Sequence, residues 1–136
     1  MDFSLTQEQE DVVTAAREFA LGEFPERAQE FDREETFDYQ IWKKACELGF
    51  VGMYIKEDYG GSGMGLLSCC LVMEEFWAVD AGIGSAVLST IFGADIIDMY
   101  GTEEQKKKYL PAFARGDLIM GTAITLPRQE PGASLT

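Results

Sequence analysis

The sequence predicts an all-α fold: a bundle-like helical domain with one glycine-rich loop in its middle. Three observations support this prediction. Apolar residues recur at helical spacing over most of the chain, "TQEQ" at Thr6 and "TEEQ" at Thr102 fit the capping box, and glycines follow the ends of the predicted helices. The apolar run from Leu118 to Ile124 is rich in β-compatible residues and predicts the start of a strand at the C-terminal end.

Three helices are predicted before the glycine-rich loop. The first begins at Thr6 and buries apolar residues at helical spacing: Val12, Val13, Ala16, Phe19 and Ala20. Proline suits the first turn of a helix, so a second helix begins at Pro25 and carries Ala28 and Phe31 inward. The third, "FDYQIWKKACELG", ends at Gly49. It places three residues on one buried face: Ile41, Ala45 and Leu48.

The glycine-rich stretch "FVGMYIKEDYGGSGMG" predicts a loop of defined shape. Its four closely spaced glycines are Gly60, Gly61, Gly63 and Gly65. Glycine adopts positive φ angles at little cost and lets another backbone or a ligand approach closely. We therefore expect an ordered loop, in which valine at position 61 would be forced into a disallowed φ.

After the loop, "LLSCCLVMEEFWAVD" predicts a helix that is apolar on several sides and mostly buried. Glu74 and Glu75 point about 100° apart on such a helix and cannot share a proton, so we expect one to be solvated and the other to pair nearby. Glycine-rich helix continues through "AGIGSAVLSTIFGADIIDMYG", with Gly101 ending it as C′. The last helix starts at the second capping box and stops at Gly116, with residues 106–108 as a solvated basic face.

Charge and composition exclude several classes of function. The chain has 24 acidic and 11 basic residues and a formal charge of −13, which repels a phosphate backbone, so nucleic acid and anionic membranes are not expected partners. There is no histidine, so a Ser-His-Asp or Cys-His site is impossible within this chain. General acid-base work would fall to carboxylates, lysine or tyrosine.

The cysteines and the N-terminus predict a cytoplasmic protein. Three cysteines, two of them adjacent at Cys69 and Cys70, form neither a disulfide framework nor a metal-ligand spacing, and small buried thiols in a reducing compartment are expected. The start "MDFSLTQEQED" is acidic where a signal peptide would be basic. No apolar stretch is expected to approach the roughly 18 residues that span a bilayer.

Three stretches, "MDFSLTQEQE", "KEDYGGSGMG" and "GTEEQKKKYLPAFARGD", resemble the acyl-CoA dehydrogenase family in their order and spacing. "LGFVGM" and "VMEEFWAVDAGIG" extend the resemblance to nearly the whole chain. It implies an all-helical N-terminal domain over residues 1–116, followed at residues 117–136 by the start of the family's β domain.

The resemblance also implies an activity. Family members bind FAD between the helical domain, a β domain and a C-terminal helical domain, and they remove the α and β hydrogens of an acyl-CoA thioester. The catalytic glutamate belongs to the C-terminal domain, so no catalytic residue is expected here, and this chain alone is expected to be inactive. The expected partners are acyl-CoA, the β and C-terminal domains or a partner chain, and further copies of the protein, because members usually associate as dimers or tetramers.

The opening motif of the family's β domain, which contacts the flavin, is matched in part by "AITLP". The resemblance assigns the flavin-contacting positions to Ala123, Ile124 and Thr125. Leu126 stands where glutamate is usual, and Ser134 of "EPGAS" aligns only if residues are inserted after Pro127. These departures are compatible with a divergent member, with a subunit that no longer binds flavin, or with a chain altered near its end.

The family's acyl-chain pocket is partly lined by the segment that corresponds to "STIFGAD". The resemblance therefore assigns Ile91, Phe92 and Ala94 to the substrate pocket, where bulky side chains at 91 and 92 would shorten it and the small one at 94 would lengthen it. Acyl-chain length and the electron acceptor stay open. The alternative function is a non-catalytic helical interaction module derived from this fold.

Overall fold

The computed structural model describes residues 4–123, and within this range it contains α-helices, one short 3-10 helix and no β-strand. The all-α prediction is therefore confirmed for this part of the chain. The α-helices, in chain order, are α1 Gln7–Glu23, α2 Pro25–Glu34, α3 Tyr39–Glu47, α4 Gly65–Val79, α5 Ala81–Leu88, α6 Ile91–Tyr100 and α7 Glu103–Ala114. The 3-10 helix is Glu57–Tyr59.

Both predicted capping boxes are formed. The Thr6 hydroxyl accepts the amide of Gln9 at 3.3 Å, the Gln9 side chain accepts the amide of Thr6 at 3.0 Å, and Thr102 and Gln105 repeat the arrangement at α7. These bonds satisfy amides that have no partner within the helix.

The prediction that α3 and α7 end at glycines is also confirmed. Gly49 and Gly116 have φ of +82° and +71°. After α7, the amides of Gly116 and Asp117 donate to carbonyls of the last turn, at 2.9 and 2.8 Å, which is the Schellman pattern. Gly101 differs, since it ends α6 with a φ of −69°, outside the left-handed region.

The core forms where α1 packs against α4. Four phenylalanine rings meet there with centroids 5.2 to 5.8 Å apart, several of them edge to face: Phe19, Phe24, Phe50 and Phe76. Phe24 and Phe76 are fully buried. Above this cluster, the Arg17 guanidinium donates two hydrogen bonds of 2.7 Å to the Glu75 carboxylate, while Glu74 is exposed. The prediction for the two glutamates is confirmed.

Two burial predictions are wrong. Leu48 is exposed although Ile41 and Ala45 of the same predicted face are buried, and it is the C-cap residue, just beyond the last residue of α3. The helix α4 is not mostly buried, since Leu66 is 77% exposed and Leu67 and Trp77 are also exposed. The helix packs on α1 and α5, and the side chains that point away from these two helices are exposed.

The glycine-rich loop is ordered, but one reason for its glycines differs from the prediction. Gly60, Gly63 and Gly65 have positive φ angles, and Gly61 does not. A β-carbon at Gly61 would lie 2.6 Å from the Gly52 carbonyl oxygen and would also collide with the Ile55 carbonyl. Position 61 therefore requires glycine because of close backbone approach, and the predicted disallowed φ is wrong.

Tyr59 ties this loop to α7. Its buried ring lies in the 3-10 helix, and its hydroxyl donates to the Glu103 carboxylate at 2.8 Å. This hydrogen bond is the main reason why the pKa of Tyr59 is raised.

Residues 81–100 form two helices, α5 and α6, which are separated by a turn at Ser89 and Thr90. By length and composition the run Ala81–Tyr100, with a mean hydropathy of 1.3, could cross a membrane, so the expectation that no stretch approaches that length is wrong. One such run is weak evidence for a span, because core helices of water-soluble proteins pass the same test. Here 39% of the window is buried against the protein.

The predicted strand is absent from residues 118–123, which have no regular secondary structure. A strand needs a hydrogen-bonded partner, and the described residues contain none. Ile124, where the predicted run ends, lies outside the described residues.

Candidate functional site

The three predicted substrate-pocket residues lie near the start of α6 in different environments. Phe92 is 59% exposed, Ile91 is half-buried, and Ala94 is fully buried. Phe92 therefore presents the largest surface to a ligand that approaches α6 from outside. Ala94 contacts the core in the described part of the chain and presents no surface there.

Residues 118–123 cross α6 at Gly93. A β-carbon at Gly93 would lie 2.6 Å from the Met120 β-carbon, 3.0 Å from the Gly121 amide nitrogen and 3.1 Å from the Gly121 carbonyl oxygen. Ala123 follows Gly121 by two residues, and an extended chain covers at most about 3.6 Å per residue, so its α-carbon lies within about 7 Å of Gly121.

This crossing involves the segment that leads into a predicted site. The exposed Ala123 is the first predicted flavin-contacting residue, and it follows closely after Gly121, whose backbone lies against the helix that carries the predicted substrate pocket. Three other predicted flavin-contacting residues, Ile124, Thr125 and Ser134, lie outside the described residues, so their assignment stays a prediction.

An apolar stripe runs along the outer face of α6, which we define by Phe92, Ile96, Met99 and Tyr100. The spacing i, i+4, i+7 and i+8 places these residues on one face. All four are exposed, up to 78% for Tyr100. Contiguous exposed apolar surface of this kind marks an interaction or ligand-binding face.

Behind the stripe lies a group of ionisable side chains that sequence reasoning missed. The Tyr54 hydroxyl donates to the Ile91 carbonyl at 3.4 Å. Burial, followed by the charge of Asp95, raises the pKa of Tyr54, so it stays a neutral phenol at pH 7. Burial also raises the pKa of Asp95, with a further contribution from Asp98, and raises that of Cys69 to about 11. A neutral buried thiol is a poor nucleophile.

Asp98 is the least satisfied member of this group. Its Oδ1 is buried, and within the described residues it has no hydrogen-bond partner. Buried carboxylate oxygens are normally paired, because losing hydration without replacement is costly. The sequence carried a signal for this position, since Asp95 and Asp98 are one turn apart in an otherwise apolar helix.

Two surface grooves lie away from α6. One of about 700 Å³ is formed by α1, the end of α3 and the glycine-rich loop, with Val12, Leu48 and Met64 in its lining. The other, of about 500 Å³, lies between α2 and α5. Among the described residues there is no cluster of three or more histidine, cysteine, aspartate or glutamate side chains that could hold a metal ion.

Comparisons with known proteins identify the family and the fold. Residues 6–117 match the family model described as "Acyl-CoA dehydrogenase, N-terminal domain". The chain is 40% identical, over 93% of its length and 34% of the relative, to the short-chain specific acyl-CoA dehydrogenase of Clostridium acetobutylicum.

Solved structures give the same result. The structure of a glutaryl-coenzyme A dehydrogenase glutaryl-CoA complex superposes with a TM-score of 0.86 at 33% identity, covering 98% of this chain and 34% of that one. For an acyl-CoA dehydrogenase complexed with FAD from Bacillus anthracis, the TM-score is 0.79 at 31% identity, with 96% of this chain and 22% of that chain covered.

This chain belongs to the acyl-CoA dehydrogenase family, and residues 6–117 are its N-terminal helical domain. The predicted family and fold are confirmed. The chain spans about a third of the length of the curated relatives it matches, between 30% and 34% for three of them.

Proposed function

We propose that this chain supplies one wall of the FAD and acyl-CoA pocket of a flavin-dependent acyl-CoA dehydrogenase. The supporting observation is the crossing at Gly93, where Met120 and the backbone of Gly121 lie against α6, next to the exposed Phe92. The segment that leads into the predicted flavin-contacting residues therefore touches the helix that carries the predicted substrate-pocket residues. The proposed enzyme is cytoplasmic and forms homo-oligomers.

The residues at this place fit the apolar portions of both ligands. Phe92 and the rest of the stripe offer exposed apolar area, which favours an acyl chain or the edge of a flavin ring. The described residues at the crossing carry no cationic side chain that could hold the phosphates of FAD or CoA. Those contacts would come from the rest of the enzyme.

Within the proposed enzyme, the bound FAD supplies a hydride acceptor. The residues described here bind the apolar parts of the ligands, and they exclude water. Phe92 and Ile91 pack along the acyl chain, and each methylene they bury contributes about 0.8 kcal/mol. The Tyr54 hydroxyl donates to the Ile91 carbonyl and so supports the first turn of α6, which carries Phe92.

A chimera tests the proposal. Residues 1–123 of this chain would replace the aligned part of the Clostridium acetobutylicum relative, followed by that relative's remaining domains. We expect a yellow protein that retains FAD on a sizing column and reduces a dye when acyl-CoA is added. A folded, colourless chimera without dye reduction would contradict the proposed function.

A matched pair of substitutions then tests the acyl wall. Phe92 and Leu21 are both 59% exposed, on α6 and α1 respectively. In the chimera, Phe92→Asp should lower kcat/KM for acyl-CoA roughly tenfold or more, because a carboxylate replaces apolar contact area. Leu21→Asp should leave it close to the parent's value. Equal losses in the two variants would contradict the assignment of Phe92.

The alternative is a non-catalytic interaction subunit. The exposed apolar stripe of α6 favours it, because a partner chain could cover the same surface. The chimera separates the two functions, since an interaction subunit would give a folded protein that neither retains FAD nor oxidises acyl-CoA.

A further inference from the structure

Gly93 is a glycine in the first turn of α6, where helix propensity disfavours it. Glycine is about 1 kcal/mol less favourable than alanine inside a helix. Its φ is not in the left-handed region, so backbone conformation gives no reason for it. A left-handed backbone conformation is therefore not what requires glycine at this place.

The reason lies in packing. The atom nearest to a β-carbon at Gly93 would be the β-carbon of Met120, followed by the backbone of Gly121. Neither is the free end of a long side chain, so rotation about a side-chain bond cannot relieve the contact. Alanine at position 93 would push residues 118–123 away from α6. Gly121 differs, because a β-carbon added there would meet no atom within 4 Å.

We infer that Gly93 is a positioning residue that sets the separation between the flavin-contacting segment and the acyl wall. This inference rests on the proposed function. The side chains on either side of Gly93 are Phe92, which is exposed on the stripe, and the buried Ala94. The absence of a side chain between them allows residues 118–123 to lie directly on α6, with Ala123 continuing past it.

The first arm of the test uses the 136-residue chain and requires no flavin. Met120 is half-buried at the crossing, whereas Met99 is 67% exposed on the same helix face as Phe92. Peroxide oxidation of each methionine is followed by peptide mass spectrometry, with Met99 as the internal reference. In the parent we expect Met120 to react more slowly than Met99.

Gly93→Ala should raise the oxidation rate of Met120 severalfold while the rate of Met99 is unchanged, and Gly121→Ala should change neither. The melting temperature of Gly93→Ala should fall by about 4 °C or more. Met120→Gly removes the nearest colliding atom, so the double variant Gly93→Ala, Met120→Gly should recover much of that loss. If Gly93→Ala leaves both the Met120 rate and the melting temperature at parental values, the inference is wrong.

The second arm uses the flavin-binding chimera and separates this inference from the proposed function. A misplacement of about 1 Å between reacting groups can reduce a rate on the order of a hundredfold, so Gly93→Ala should reduce kcat strongly while KM for acyl-CoA stays near the parent's. Met120→Gly should restore part of kcat. A parent chimera without FAD would contradict the proposed function. The oxidation experiment would then decide alone whether Gly93 positions residues 118–123. An active parent whose Gly93→Ala variant has the same kcat would overturn the inference alone.

Discussion

The aromatic core between α1 and α4 and the outer face of α6 use similar side chains in opposite environments. In the core, the rings of Phe24 and Phe76 pack edge to face at 5.2 Å and are fully buried. On α6, Phe92 and Tyr100 are mostly exposed, and a buried oxygen of Asp98 has no partner among the described residues. The first region is enclosed by the described residues, whereas the second is open to solvent among them.

The difference follows from which elements face each region. The core is enclosed by α1, α4 and the turn that follows α3, all of which belong to the described residues. On α6, residues 118–123 lie against Gly93, while the four residues of the stripe are exposed among the described residues. Because relatives are about three times as long as this chain, we propose that their additional domains cover the rest of this face.

The largest effect is expected from truncating the core. Phe76→Ala removes a fully buried ring and should lower the free energy of unfolding by about 3 to 5 kcal/mol. Phe92→Ala, on the stripe, should lower it by less than about 1 kcal/mol, because most of that ring is already in water. Urea unfolding followed by circular dichroism measures both. Similar losses at the two positions would remove the distinction between the regions.

Gly61→Ala should follow in size. Its added β-carbon collides with two backbone carbonyls that are held by the loop, so we expect a loss of about 1 to 3 kcal/mol. The control is Ser62→Ala in the same loop, whose exposed side chain should matter by less than about 0.5 kcal/mol. Equal unfolding midpoints for the two variants would show that the loop can move away from the collision.

A smaller, pH-dependent effect is expected at Asp38, the N-cap of α3. Burial alone would raise the pKa of Asp38, but the hydrogen bond from Arg27 at 2.6 Å and two backbone amides outweigh it and the pKa is lowered. The stabilisation is therefore fully present above the unfolded pKa of about 3.9 and is lost as pH falls through the folded value.

The measurement compares the parent with Asp38→Asn, which keeps a good N-cap and loses the charge. At pH 7 we expect the variant to be less stable by about 1 kcal/mol. The difference should shrink towards pH 2. A difference that stays constant over this range would show that the carboxylate charge contributes nothing.

Sequence reasoning succeeded where the determining interactions are local. The caps at Thr6 and Thr102 and the stops at Gly49 and Gly116 depend on residues within one turn, and all four are present. The burial of Leu48 and of most of α4 was predicted wrongly, since apolar spacing identifies a helix face and not what lies opposite it.

The candidate site shows the same limit. Motif resemblance assigned Phe92 and Ala123, but it could not reveal that residues 118–123 cross α6 at Gly93, because that contact joins segments far apart in sequence. The sequence likewise could not show that an oxygen of Asp98 has no hydrogen-bond partner among residues 4–123, because this depends on which neighbours approach α6. Its one-turn spacing from Asp95 was the available signal.

We propose that the outer face of α6 forms a flavin and acyl-CoA site only together with further domains. The experiment purifies the 136-residue chain with excess FAD, removes free flavin on a sizing column, and records flavin absorbance and acyl-CoA-dependent dye reduction. We expect a colourless, inactive protein, because affinity for a ligand at a domain junction comes from several walls together. Stoichiometric yellow protein that bleaches with acyl-CoA would contradict the claim.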